Sequence, residues 1–125
     1  MGLLHYRELI ASQKSMTLVN SVYALSKYFP VDERYGLTSQ IRRAAVSVPS
    51  NVAEGQGRDS TREFLHHLSI AYGSLMEVET QVLISENLGY LEQNMVSAFL
   101  EESSETGRII NGLMRSLRKR INTEH

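Results

Sequence analysis

Apolar residues recur at spacings of three and four along nearly the whole chain and nowhere alternate cleanly over a strand-length run. That pattern admits amphipathic helices and leaves little from which to build a sheet. Pro30, Pro49 and the glycines at 36, 55, 57 and 89 punctuate it into four segments. The first, from about Arg7 to Tyr28, places Leu9, Met16, Val19, Val22, Tyr23 and Ser26 on one side. Phe29-Pro30 closes it, because the residue before proline is pushed out of the α region. The connector from Val31 to Leu37, with Asp32, Glu33 and Gly36, suits an exposed turn. The second segment opens at Thr38 or Ser39, either able to cap the first free amides. Ile41, Ala44, Ala45, Val48 and Val52 form its apolar stripe. Pro49 within that stripe predicts a kink, since proline lacks an amide and crowds the carbonyl four residues back. Ser47, Ser50 and Asn51 beside it carry side chains able to bond the freed backbone groups.

After Gly55-Gln56-Gly57 comes the clearest start signal. Ser60 and Glu63 have the S-x-x-E spacing of a capping box, followed by Phe64, Leu68, Ala71, Leu75, Val78 and Val82. Asn87-Leu88-Gly89 reads as a glycine C-cap. The fourth segment, about Glu92 to Ile121, turns Met95, Phe99, Thr106, Ile110, Leu113 and Leu117 inward. Its stripe weakens at Glu102-Ser103-Ser104, and its last four residues are expected to fray. Four helices joined by short connectors predict an all-α, up-and-down antiparallel four-helix bundle spanning residues 1–125 as one domain. A chain of 125 residues is long enough for one core and too short for two ordinary domains.

Composition narrows the function. The absence of cysteine excludes disulfides, thiolate catalysis and thiolate metal sites. No apolar run approaches the roughly 20 residues that span a bilayer. The first ten residues already hold His5, Arg7 and Glu8, unlike a signal peptide. A soluble cytoplasmic protein with no membrane partner and no cofactor is the expectation. Thirteen Lys and Arg against fourteen Asp and Glu provide no global basic field for nucleic acid.

Particular residues say more than these totals. Tyr35-Gly36-Leu37-Thr38, Gln40-Ile41-Arg42-Arg43-Ala44-Ala45 and Val48-Pro49-Ser50-Asn51-Val52-Ala53-Glu54-Gly55 form a distinctive run. Phe64, Ile70-Ala71, Gly73-Ser74-Leu75, Glu77, Glu79, Gln81 and Leu88-Gly89-Tyr90-Leu91 continue it. Together they resemble the four-helix-bundle proteins encoded within intervening sequences of 23S ribosomal RNA genes, a bacterial family. The accessory proteins of diversity-generating retroelements are its distant relatives. The resemblance covers roughly residues 6 to 118 and implies a bundle that assembles into a ring-like homopentamer. It brings no established enzymatic activity and no catalytic residues, and the role it implies is described as unknown or as association with nucleic acid. The near-neutral charge of this chain departs from the basic surfaces of the retroelement relatives.

Several constellations are candidates for function. Arg108, Arg115, Arg118 and Lys119 follow the acids of the fourth segment, and positions 108, 115 and 119 share one helix face. Bases late in a helix complement its macrodipole; the same charges also suit RNA phosphates, with Arg58 and Arg62 as further contributors. Glu79 falls on the apolar face of the third segment, where an unpaired carboxylate is costly. An interhelical ion pair from Glu79 to Arg42 or Arg43 is therefore expected. Arg62 and His67 match the loose Arg-x4–6-His pattern of some all-helical ribonucleases, which makes a small ribonuclease the enzymatic alternative. Glu63-Phe64-Leu65-His66 has the Glu-x-x-His spacing of di-metal bundles, which need two such motifs. His5 and His125 are assigned no role. Ala44, Ala45, Ala71, Gly73 and Ser74 suit close helix approach or a subunit contact; Tyr35 and Tyr90 sit where they can brace connectors. The expected role is a non-enzymatic scaffold or adaptor. It would self-associate and hold RNA or an RNA-processing protein; the alternative is a protein-only assembly hub.

Overall fold

The computed structural model of the chain describes residues 2–124, with side chains from position 5 to 123; His125 lies outside them. Helix α1 runs Gly2–Ser26, α2 Leu37–Gln56, α3 Thr61–Asn87 and α4 Gln93–Glu124, with a single 3-10 turn at Val31–Glu33. No strand occurs among the described residues. Each helix packs on its neighbours in the cycle α1–α2–α3–α4–α1, and among the described residues the backbones of the diagonal pairs α1/α3 and α2/α4 do not approach one another closely. This is an up-and-down four-helix bundle. Among the described residues no helix is long and apolar enough to cross a membrane.

The core stripes of α2 and α3 are those the spacing predicts: Ile41, Ala44, Ala45, Val48 and Val52 against Phe64, Leu68, Ala71, Leu75, Val78 and Val82 are all buried. In α4, Phe99, Thr106, Ile110, Leu113 and Leu117 are buried and Met95 partly so. The fraying expected of the last four residues does not occur up to Glu124, which is still helical. Helix α2 continues through Pro49. Asn51 donates from Nδ2 to the Ser47 carbonyl at 2.9 Å in the turn that contains the proline.

The inward face of α1 keeps half of the expected residues: Val22 and Ser26 are buried and Val19 packs against the core. Ala11, Ser15, Leu18, Val22 and Leu25 face the core, whereas Leu9, Met16 and Tyr23 are 50%, 58% and 40% exposed. Helix α1 carries apolar residues on two sides, and periodicity alone does not say which side is covered. Where the α4 stripe weakens, polar contacts take over. Ser21 donates to Glu102 at 2.7 Å from α1, and buried Ser103 donates to Glu79 on α3 at 2.5 Å.

Helix ends follow local chemistry. The Ser60 hydroxyl accepts from the amides of Arg62 and Glu63, the serine half of the expected box. Gly89, at φ +81°, closes α3 in a Schellman arrangement: its amide reaches the Glu86 carbonyl and the Tyr90 amide the Ser85 carbonyl. Neither Thr38 nor Ser39 caps α2. The helix begins one residue earlier, at Leu37, and Glu33 reaches forward from the 3-10 turn to accept the Leu37 amide at 3.0 Å. A Cβ on Gly36 would stand 2.8 Å from that carboxylate, so glycine keeps its path clear.

The second oxygen of Glu33 accepts the Tyr90 hydroxyl at 2.8 Å, and Tyr90 packs its ring against Phe29 at 5.7 Å. Tyr90 thus braces the two connectors at this end as expected, whereas Tyr35 is exposed beside Arg34. The Leu37 amide, then the Tyr90 hydroxyl, hold the Glu33 carboxyl below its usual range; the same bond raises Tyr90. A lowered carboxyl adds stability that is present above its unfolded value and lost as pH falls through the folded one. A raised phenol adds stability that is lost as pH rises through its folded value. The melting-temperature gap between wild type and Glu33→Gln should therefore be widest between about pH 5 and 10 and shrink on either side. A gap constant from pH 3 to 11, on thermal melts across that series, would contradict this bracing role.

Candidate nucleic-acid interface

Helices α1 and α4 lie antiparallel, and their contact joins the start of α1 to the end of α4. Along this seam runs a groove of about 440 Å³. Ile10, Ile109 and Gly112 line it together with Tyr6, which is 59% exposed. Arg7, Arg108, Arg115 and Lys119 also line it, and no acidic residue does. The positions 108, 115 and 119 share a face because seven residues make almost two whole turns and four slightly more than one. Arg7 is fixed across the seam by donating from Nη1 to Ser116 Oγ, whose hydroxyl in turn bonds the Gly112 carbonyl.

Among the described residues, Arg115 and Lys119 have no ion-pair partner. The nearby acid Glu105 is held by Lys14 across α1 and α4, chiefly through their hydrogen bond, which lowers its carboxyl; Arg108 adds a smaller pull. Arg115 and Lys119, four apart on one helix, repel one another by a few tenths of a kcal/mol. The structure thus gathers three of the four cations singled out in α4. It leaves Arg118 exposed outside the groove and adds Arg7 and Tyr6 from α1, which α4 spacing could not reveal. Arg58 is outside it too, paired with Glu54 at 2.8 Å.

The expected ion pair of Glu79 with Arg42 or Arg43 does not form. Arg42 turns toward α1, donating from Nε to Ser26 Oγ at 2.7 Å and lying 4.5 Å over the Tyr23 ring. Glu79 turns the other way, to Ser103 on α4. Arg43 is exposed and shares a shallow depression with Glu77 instead. The two helices are neighbours, but the paired groups sit on their opposite flanks.

His67 is an interhelical brace. Asn51 is oriented by its amide bonds to Ser47, so its Oδ1 faces His67 Nδ1 at 3.2 Å and assigns the proton to that nitrogen. Nε2 faces Glu54 at 3.9 Å, and the side chain is only 15% exposed. His66 beside it is exposed. No group of three His, Cys, Asp or Glu that could hold a metal occurs among the described residues.

Fold and groove together define a four-helix bundle with a cationic seam along α1 and α4. The family of 23S rRNA-intervening sequence proteins matches over residues 7–112, and the chain belongs to it. A crystal structure of a protein of unknown function from the S23 ribosomal protein family of Bacteroides thetaiotaomicron is similar, with a TM-score of 0.80 and 18% identity. The match covers 87% of this chain and 98% of that one, and at such identity it shows the fold. No curated protein matches.

Proposed function

We propose that this protein is a non-enzymatic, self-assembling adaptor that holds RNA along the α1–α4 groove. The observation that carries this reading is the convergence of Arg7, Arg108, Arg115 and Lys119, from two helices, on a lining without acids. Complementing the macrodipole accounts for bases late in α4. It does not account for Arg7, which comes from the opposite end of another helix. Phosphate contacts supply affinity without sequence readout, which suits an adaptor. The reading as non-enzymatic draws on His67, whose ring nitrogens both face protein groups. Fluorescence anisotropy with a structured RNA tests the proposal. Binding that weakens with salt and on Arg115→Ala/Lys119→Ala supports it, and no binding at low salt contradicts it. Cleavage of that RNA by wild type, abolished in His67→Ala, would contradict the non-enzymatic part.

Self-assembly has its own support. Leu9, Met16 and Tyr23 make an exposed apolar stripe on α1 at heptad spacing, and Ile70 and Ile84 are exposed on α3. Those helices are diagonal in the bundle, so a stripe on one molecule meeting the other stripe on the next is a head-to-tail contact, the kind that forms a ring when its rotation closes and a filament when it does not. Gly73 lies on the same side of α3 as Ile70, and a Cβ there would meet nothing within 4 Å. A bare glycine in mid-helix weakens the helix by ~0.5–1 kcal/mol relative to alanine. A neighbouring subunit gives it a reason. Ala44, Ala45 and Ala71, by contrast, are buried between α2 and α3, and Ser74 bonds Ser47. Gly73→Ala should stabilise the helix and yet shift the assembly, expected to be a pentamer, toward monomer in light scattering after size exclusion. A wild-type monomer at high concentration would overturn the ring, and an unshifted Gly73→Ala assembly would remove the glycine from the contact. Partners would then be this chain itself and RNA or an RNA-processing protein. The protein-only hub is the outcome in which the ring forms and RNA is ignored.

A further inference from the structure

The groove has a feature that phosphate binding does not require: its lining is largely apolar, and the cations share it with an aromatic ring. We infer that it takes one unstacked nucleotide of a single-stranded RNA, the base against Tyr6 and the flanking phosphates on the surrounding cations. This rests on the RNA reading of the same groove and names the form of RNA it takes.

Tyr6 is 59% exposed, although Ile10 one turn later and partly buried Ile109 across the seam offer apolar surface beside it. An exposed ring next to cations is the arrangement on which single-stranded bases stack. A volume of about 440 Å³ lies within the roughly 300–1,000 Å³ of small-ligand sites. The cations extend further than one nucleotide needs. From Arg108 to Lys119 the helix advances by about 16 Å, so the strand continues along α4 on either side of the bound base. A duplex presents its bases stacked and paired, and would use the cations while leaving the apolar lining empty.

Gly112 provides an independent observation. It is a mid-helix glycine, and a Cβ there would meet nothing closer than Arg115 Nη2, at 3.8 Å. Packing does not demand glycine at this position, and helix propensity argues against it. Its bareness deepens the groove between Tyr6 and Ile109. Gly112→Leu therefore has opposite consequences for fold and binding: it replaces a poor helix former with a good one and fills the space a base would occupy.

The test is anisotropy on the full chain with three labelled strands of equal length: single-stranded oligouridine, the same strand paired with oligoadenine, and an abasic single strand. Wild type should prefer oligouridine to both. Tyr6→Ala should lower oligouridine affinity roughly 5- to 150-fold and leave the abasic strand unchanged, with Tyr6→Phe restoring the preference. Gly112→Leu should melt at or above the wild-type temperature yet lose the preference. Equal wild-type affinity for oligouridine and the abasic strand, or a Tyr6→Ala protein unchanged toward all three, would overturn the inference while leaving a phosphate-binding groove. Failure of all three strands to bind at low salt would overturn the RNA reading itself.

Discussion

Leu75→Ala should lower the stability of the protein by ~2–5 kcal/mol in urea denaturation at fixed protein concentration. Leu75 is fully buried at the middle of α3. A Cβ built on Gly107 of α4 would stand 3.4 Å from its Cδ2, so the leucine fills the space that the glycine leaves. Truncation removes the transfer energy of the lost methyl groups and leaves a cavity that two helices, held elsewhere along their lengths, cannot close. Against a total of roughly 5–15 kcal/mol for a domain, such a loss brings the chain near unfolding. Leu75→Met keeps the volume and should cost less than ~1.5 kcal/mol. Equal losses from both substitutions would mean that α3 and α4 are not packed at this level.

Gly55→Ala should also destabilise, although alanine is the better helix former. The added Cβ would stand 2.7 Å from Phe64 Cδ1, 3.0 Å from His67 Cβ and 3.3 Å from the Phe64 carbonyl. Phe64 is buried and His67 is tied to Asn51, so neither gives way cheaply. Overpacking of this kind costs ~1–3 kcal/mol, more than the ~0.5–1 kcal/mol regained in helix propensity. Gly55 thus sets how closely the end of α2 meets the start of α3. A Gly55→Ala protein that melts higher than wild type would show the two helices to be further apart there.

Much of the bundle is legible in the sequence where the longest apolar stripe of a helix is also the one that packs. In α2 and α3 every residue of the expected stripe is buried, while Val46, Ile70, Leu83 and Ile84 stand exposed outside it. In α1 the rule holds for Val19, Val22 and Ser26 and fails for Leu9, Met16 and Tyr23, which repeat at seven and look like a core seam but form a second stripe turned outward. The start of α2 was hidden because its cap comes from Glu33, in the preceding turn, rather than from a serine or threonine beside the first amides. Glu33 followed three residues later by Gly36 is the signal that points to it.

The candidate site divides in the same way. Arg108, Arg115 and Lys119 are legible as a stripe because their spacing lies within one helix. Tyr6 and Arg7 depend on how α1 is placed against α4, which no single segment encodes. The Glu79 pair with Arg42 or Arg43 is expected because a carboxylate on the apolar face of α3 needs a partner. The flank on which each side chain leaves its helix decided otherwise. A buried face does not specify a partner.

The most direct test of the adaptor reading is the slope of log affinity against log salt for a single-stranded RNA, wild type beside Arg115→Ala/Lys119→Ala. If both side chains meet phosphates, the wild-type slope is negative and the double variant is shallower by about 1.4. Parallel slopes, or a wild-type affinity indifferent to salt, would contradict the account and leave the cations of α4 as partners of its own helix dipole.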